Sequence, residues 1–195
     1  MNILVIIPAR GGSKGIPRKN LRLLGGKPLL YYSIKTALSS TFKPDVYVSS
    51  DDDEILNIAT KFNAKTFKRH KRNAHDNTTL DPVVYECFKA VEKIEGKSYD
   101  IVITFQPTSP LLKTSSLDSA IQNMLKNDEI DSIISAKDST HLSWREEKEK
   151  YVPNYSERLN RQYLTKIYSE TGGFLITKSK CVSNNSRIGN EVSLH

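Results

Sequence analysis

Residues 3 to 7 read Ile-Leu-Val-Ile-Ile, five apolar positions with no polar break. A strand with one wet face would alternate, so this unbroken, β-branched run predicts a strand buried on both faces. Pro8 ends it. In "PLLYYSIKTALSS" the period lengthens, and Leu30, Ile34, Ala37 and Leu38 share one face of a helix. "DVYVSSD", residues 45 to 51, predicts a second strand. Asp52 to Phe62 follows as a helix with Ile55, Ile58, Ala59 and Phe62 inward, and "AKTFKR" as a third, weaker strand. "LDPVVYECFKAVEKI" is a helix that turns Val84, Phe88, Val91 and Ile94 to the core. "DIVITFQPTSP" is a buried strand that leaves through a polar, proline-bracketed turn. Ser115 to Lys126 predicts a helix, "DSIISA" a strand, and "GGFLITK", 172 to 178, a last strand. Strands that alternate with helices predict an α/β fold, with a predominantly parallel sheet covered on both faces.

The periodicity weakens from Asp138 to Glu170, where "REEKEK" and "NRQYLTK" are polar throughout. A long excursion of this kind is either functional or an interaction surface. With 195 residues the chain has room for a single domain, 1–195, carrying 138–170 as its excursion. Hydrophobic residues make up 37% and charged residues 26%, which excludes a disordered chain. No apolar run approaches a membrane span, and the N-terminal run is too short and wrongly flanked for a signal peptide. The expectation is a cytoplasmic protein with no membrane partner. Cys87 and Cys181 lack C-x-x-C spacing and are expected to be reduced and structural. His70, His75, His141 and His195 show no H-x-x-x-H pairing.

The net charge of +7 favours an acidic ligand such as a nucleotide, a sugar acid or nucleic acid. A nucleic-acid module is disfavoured because the cations are scattered and no RNA-recognition or helix-turn-helix signature is present. The densest chemistry is in "IPARGGSKGIPRKN", residues 7 to 20, directly after the first strand. Gly11, Gly12 and Gly15 are free to take backbone angles closed to other residues and to turn N–H groups toward one point. Arg10, Lys14, Arg18 and Lys19 surround that point with positive charge. Two readings stay open: a cradle for a triphosphate, or a solvated basic turn. Neither G-x-x-x-x-G-K-[ST] nor G-x-G-x-x-G is present, which disfavours a phosphate-loop ATPase and a dinucleotide dehydrogenase.

Ligands of open parallel sheets bind at the carboxyl ends of the strands. That rule gathers the loop at 10–20, Ser49 to Asp51, and Gln106 to Pro110 onto one edge. Asp51, Asp52 and Asp53 read as the acidic first turn of a helix. Thr78 and Thr79, ahead of Leu80, Asp81 and Pro82, carry a helix N-capping signal.

"IPARGGSKGIPRKN", "VSSD", "QPTSP" and "RQ…ETGGFLI", in this order, resemble the CMP–sialic acid synthetases, which are cytidylyltransferases of nonulosonic acids such as N-acetylneuraminate and legionaminate. The likeness runs from residue 3 to about residue 178. It implies a Rossmann-like nucleotidyltransferase sandwich and a magnesium (Mg2+)-dependent reaction. In that reaction the sugar acid's anomeric hydroxyl attacks the α-phosphorus of CTP and expels pyrophosphate. It also implies a homodimer formed through the excursion. By resemblance, Arg10, Lys14 and Lys19 are the catalytic cations, and Arg10, Gly11, Gly12, Ser13, Lys14, Asn20, Arg69, Thr78 and Thr79 hold the nucleotide. Arg69 is equally open to a reading as a surface arginine, since "KRHKR" offers several cations. Gln106, Thr108, Ser109, Arg161 and Gln162 match the acceptor side, and an arginine suits a carboxylate. Arg145 aligns with a lysine that reaches across the family's dimer, and Trp144 suits an interface anchor.

The family continues into a D-x-D segment that binds magnesium, whereas this sequence ends at "GNEVSLH". The chain is therefore expected to lack that metal-binding segment, and its metal ligands stay unassigned. Two alternatives accompany the main reading: another sugar nucleotidyltransferase of the CMP-Kdo synthetase type, and a truncated, non-catalytic nucleotide-binding dimer.

Overall fold

The computed structural model describes every residue of the chain except Lys14, Lys71, Arg72, Ala74, His75 and Asp76. Among the described residues, eleven strands and four α-helices follow one another. β1 (Ile3–Pro8) leads through a tight pair, β2 (Leu23–Leu24) and β3 (Lys27–Pro28), into α1 (Leu29–Leu38). β4 (Asp45–Ser50), α2 (Asp53–Lys61), β5 (Lys65–Lys68), α3 (Leu80–Glu95), β6 (Ile101–Phe105), α4 (Thr114–Lys126) and β7 (Ser132–Asp138) come next. β8 (Trp144–Glu147), β9 (Lys150–Pro153), β10 (Tyr168–Lys178) and β11 (Val192–Leu194) complete the chain.

Seven strands form one sheet in the order β11-β7-β10-β6-β1-β4-β5. β1 runs parallel to both β4 and β6, and β4 runs parallel to β5. β10 is antiparallel to β6. The continuous apolar runs have the expected consequence, because β1 is buried along its whole length and feeds both faces. Ile3, Val5 and Ile7 pack with Leu30, Ile34, Ile55, Leu117 and Ile121 of α1, α2 and α4. Leu4 and Ile6 pack with Val84, Cys87, Phe88 and Val91 of α3. The predicted sandwich, a mostly parallel sheet between helical layers, is the observed one.

Two positions assigned to the core by periodicity are not in it. Ile94 is 64% exposed and Leu38 is 42% exposed. Both occupy the last turn of their helices, α3 and α1, where the chain departs from the sheet. Neither cysteine is in a disulfide.

The chain divides into two compact units, the first of residues 1–135 and 172–195, the second of residues 136–171. The polar excursion therefore has regular structure of its own, since β8 and β9 pair as an antiparallel hairpin. Within that hairpin Arg145 bonds Glu147 at 2.6 Å and Asn154 at 3.0 Å, and Trp144 meets Tyr155 edge-on. No helix among the described residues is long and apolar enough to cross a membrane.

Candidate active site

Register sets the site. Pro8 lies opposite Ser49, and Ile6 opposite Thr104, so three parallel strands end level with one another. Beyond their carboxyl ends opens a cleft of about 540 Å³. Of the residues singled out in the sequence, Arg10, Ser13, Gly15, Lys19, Asn20, Arg69, Thr78, Gln106 and Thr108 line it. Gly11, Gly12, Thr79 and Ser109 are not among the lining residues. Lys14 lies outside the described residues. Arg161 and Gln162 belong to the second unit, where Arg161 is 3.8 Å and Lys166 3.6 Å from Asp138. There the hydrogen bonds of Thr140, and then Lys166 and Arg161, hold the Asp138 carboxyl at about 2.

The loop after β1 is shaped differently from the expectation. Gly11, Gly12 and Gly15 do not adopt positive φ; Arg18 does, at 53°. Gly11 is required for closeness instead. A Cβ on it would stand 2.6 Å from Asp52 Oδ2 and 2.9 Å from Asp52 Cβ. Its N–H donates to Asp51 Oδ1 at 3.1 Å, which ties the loop to the end of β4. Arg18 is not among the cleft-lining cations. It reaches Glu54 at 2.7 Å and Asp52 at 3.1 Å at the start of α2. Of the acidic first turn predicted there, Asp53 is in place beside Glu54, Asp51 lies before the helix, and Asp52 caps α2 by accepting from the N–H groups of Glu54 and Ile55. That carboxylate thus serves the helix and clamps the basic loop. Buried Asn20 closes the loop, its Nδ2 donating to the carbonyl of Arg10 at 3.0 Å.

Arg69 is only 5% exposed, so the reading of it as a surface arginine is wrong. Its N–H continues the β4–β5 pairing to Ser50, and its guanidinium donates to the Ser49 carbonyl at 2.8 Å. Burial pulls its pKa down, while the charges of Asp51 and Glu86 oppose that pull. Beneath it, burial pushes the Cys87 thiol well up, leaving an inert, neutral group. At the far wall, Gly172 takes φ 67° against Gln106, whose Oε1 would be 3.2 Å from an added Cβ. Thr79 precedes α3 in extended conformation, but its side chain makes no capping hydrogen bond. The capping reading therefore holds for position and fails for the side chain.

The lining also includes Ile16, Asn73, Leu80 and Val83, which sequence reasoning passed over. Leu80 and Val83 belong to the start of α3, and helical periodicity had marked only its core face. Asn73 carried no sequence signal. Among the described residues no carboxylate lines the cleft, and no three His, Cys, Asp or Glu side chains converge. The described residues therefore do not build a protein-held magnesium site. What the cleft brings together is the cations Arg10, Lys19 and Arg69, the apolar side chains of Leu80 and Val83, and several hydroxyl and amide groups.

A cytidylyltransferase family model matches residues 4–187. The chain is 36% identical over 187 residues to the pseudaminic acid cytidylyltransferase of Campylobacter jejuni, covering 92% of this chain and 80% of that protein. It is 35% identical over 123 residues to the CMP-N,N'-diacetyllegionaminic acid synthase of Legionella pneumophila, covering 63% of this chain and 53% of that protein. Among solved structures, CMP:2-keto-3-deoxy-manno-octonic acid synthetase complexed with CTP superposes with a TM-score of 0.72 at 18% identity, covering 98% of this chain and 80% of that one.

Proposed function

The chain belongs to the cytidylyltransferase family, and from that premise we propose that it couples CTP to a nonulosonic acid, giving the CMP-sugar and pyrophosphate. The observation that carries the proposal is the cleft itself. Arg10, Ser13 and Lys19 come from the loop after β1, while Gln106 and Thr108 follow the end of β6. A polyanion fits the first group, and a polyhydroxylated acid fits the second. Between them a sugar hydroxyl can meet the α-phosphorus.

Phosphoryl transfer asks for positioning and charge neutralisation more than for covalent help from the protein. The anomeric oxygen forms the new bond to the α-phosphorus as the bond to the β-phosphate oxygen breaks. Pyrophosphate leaves with that electron pair, and the hydroxyl proton passes to solvent. Arg10 offers a planar fork for two phosphate oxygens and Lys19 a mobile point charge. Lys14 is proposed to join them. Gly11 and Gly12 let the loop approach the phosphates, and Asn20 keeps its two ends together. Arg69, Thr78 and Thr79 are proposed on the nucleoside side. Gln106, Thr108, Ser109, Arg161 and Gln162 are proposed for the acceptor. Magnesium is proposed to enter on the triphosphate, because the described residues of the cleft lining supply cations and no carboxylate.

A homodimer and a cytoplasmic setting, where CTP is made, complete the reading. The dimer is supported by Trp144, Tyr151, Tyr163 and Tyr168, all more than half exposed. The CMP-Kdo alternative is not favoured, since the likeness to that enzyme lies in the fold at 18% identity. The test is pyrophosphate release from CTP with pseudaminic, N,N'-diacetyllegionaminic and N-acetylneuraminic acids in parallel. Release with one of these and none with 2-keto-3-deoxy-manno-octonic acid supports the proposal. Release with only the eight-carbon acid, or from UTP in place of CTP, overturns it.

A further inference from the structure

Asn73 stands between the cleft and a second pocket behind it, and it lines both. In that second pocket its Nδ2 donates to Glu86 Oε2 of α3 at 2.7 Å. A carboxylate only accepts, so Glu86 decides which end of the asparagine amide faces it. The NH2 group must point toward α3, which leaves Oδ1 and the second N–H for whatever occupies the cleft. Asn73 N–H meanwhile donates to the His70 carbonyl at 2.9 Å, fixing the backbone from which the side chain springs.

A free asparagine amide reads pyrimidines ambiguously, because a half-turn exchanges its acceptor and its donors. Cytosine presents a donor at its 4-amino group and an acceptor at N3; uracil presents the reverse. An amide whose NH2 is held back by a carboxylate offers an acceptor to the 4-amino group and a donor to N3. It therefore matches cytosine and opposes uracil. The cleft also has a place for the ring. Leu80 and Val83 form an apolar wall beside Asn73 and Thr78, whereas the cations Arg10 and Lys19 come from the loop after β1. A nucleotide with its phosphates at those cations lays its ring on the apolar wall, with its polar edge toward Asn73. Glu86 also contributes to the field that stabilises the Arg69 charge.

We infer that Asn73, oriented by Glu86, reads the pyrimidine edge and sets the preference for CTP over UTP, with Glu86 a positioning residue that touches no substrate. This rests on the nucleotide reading given above. The experiment is calorimetric titration of the whole chain with CTP and with UTP, for the wild type and for Asn73→Ala and Glu86→Gln. Glutamine both donates and accepts, so E86Q frees the amide to turn. E86Q is expected to lower the CTP-to-UTP affinity ratio about tenfold, mainly by a gain for UTP. N73A is expected to lower the ratio by a similar factor, through loss of CTP affinity. A general loosening of the fold would weaken both nucleotides alike and leave the ratio intact. A wild type that prefers CTP, with both variants keeping its ratio, overturns this inference and leaves the function standing. A wild type that binds neither nucleotide, or both equally, overturns the function with it.

Discussion

The two ends of β4 treat charge in opposite ways. At its amino end Asp45 bonds Lys65 at 2.9 Å, Lys97 at 2.6 Å and the Tyr99 hydroxyl at 2.9 Å. Glu95 takes the same Lys65 at 2.6 Å and the Tyr47 hydroxyl at 2.5 Å. Every carboxylate of that cluster faces a cation and a phenol, and nothing is left over for a ligand. Burial pushes the Asp45 pKa up, but its hydrogen bonds with Lys97, Lys65 and Tyr99 outweigh burial and hold it at about 2. Burial and carboxylate acceptors push both tyrosine hydroxyls well up, so they stay neutral donors. At the carboxyl end the carboxylates are set behind the cations: Asp51 holds the Gly11 amide and Asp52 holds Arg18, while Arg10, Lys19 and Arg69 line the cleft. Charge compensated within its own cluster serves the fold, and cations gathered along one cleft suit an anionic ligand.

The largest break in this contrast is expected at Lys19. K19A removes a cation from the ligand end alone and should lower kcat/KM by about 100- to 1000-fold. Its melting temperature should stay near that of the wild type; a fold that collapses with K19A would place the lysine in the structural class instead. G11A attacks the junction between loop and α2. Its added Cβ, 2.6 Å from Asp52 Oδ2, has to displace the helix cap, so denaturant unfolding should register a loss of about 1–3 kcal/mol. CTP affinity should weaken with it.

Asp45 tests the other end. Its folded pKa lies below the usual 3.8, so its contribution is fully present above about pH 4 and is lost as pH falls toward 2. D45N should therefore cost about 1–2 kcal/mol at pH 7. Wild type and variant should converge near pH 2, and a difference that persists undiminished there would contradict the assignment. CTP binding by D45N at neutral pH should match that of the wild type. The smallest effect is expected from R18A. Arg18 is half exposed, so its pairs with Asp52 and Glu54 are worth no more than about 1 kcal/mol. A few-fold rise in the KM for CTP, with kcat unchanged, would mark it as a clamp on the loop. A kcat loss as large as that of K19A would return it to the phosphate site.

Local pattern carried most of the fold. Strand burial at residues 3–7 and the helical faces at Leu30 and Ile34, Ile55 and Ala59, and Val84 and Phe88 all follow from periods of a few residues. These periods are local because a strand or helix repeats its own geometry. The cation- and glycine-rich loop was legible for the same reason, as a local excess of one chemistry. The destination of each side chain was not. Arg18 and Lys19 are neighbours in sequence, yet one turns to α2 and the other to the cleft. Arg69 reads as one cation among several, and its burial comes from the end of β4. Asn73 gains its meaning only from Glu86, thirteen residues away on α3. The sequence by itself determined the layers, the strand ends and the chemistry available there. Tertiary structure alone decided which cations are neutralised and which face a ligand, because a charge's pairing depends on distances set by segments remote along the chain.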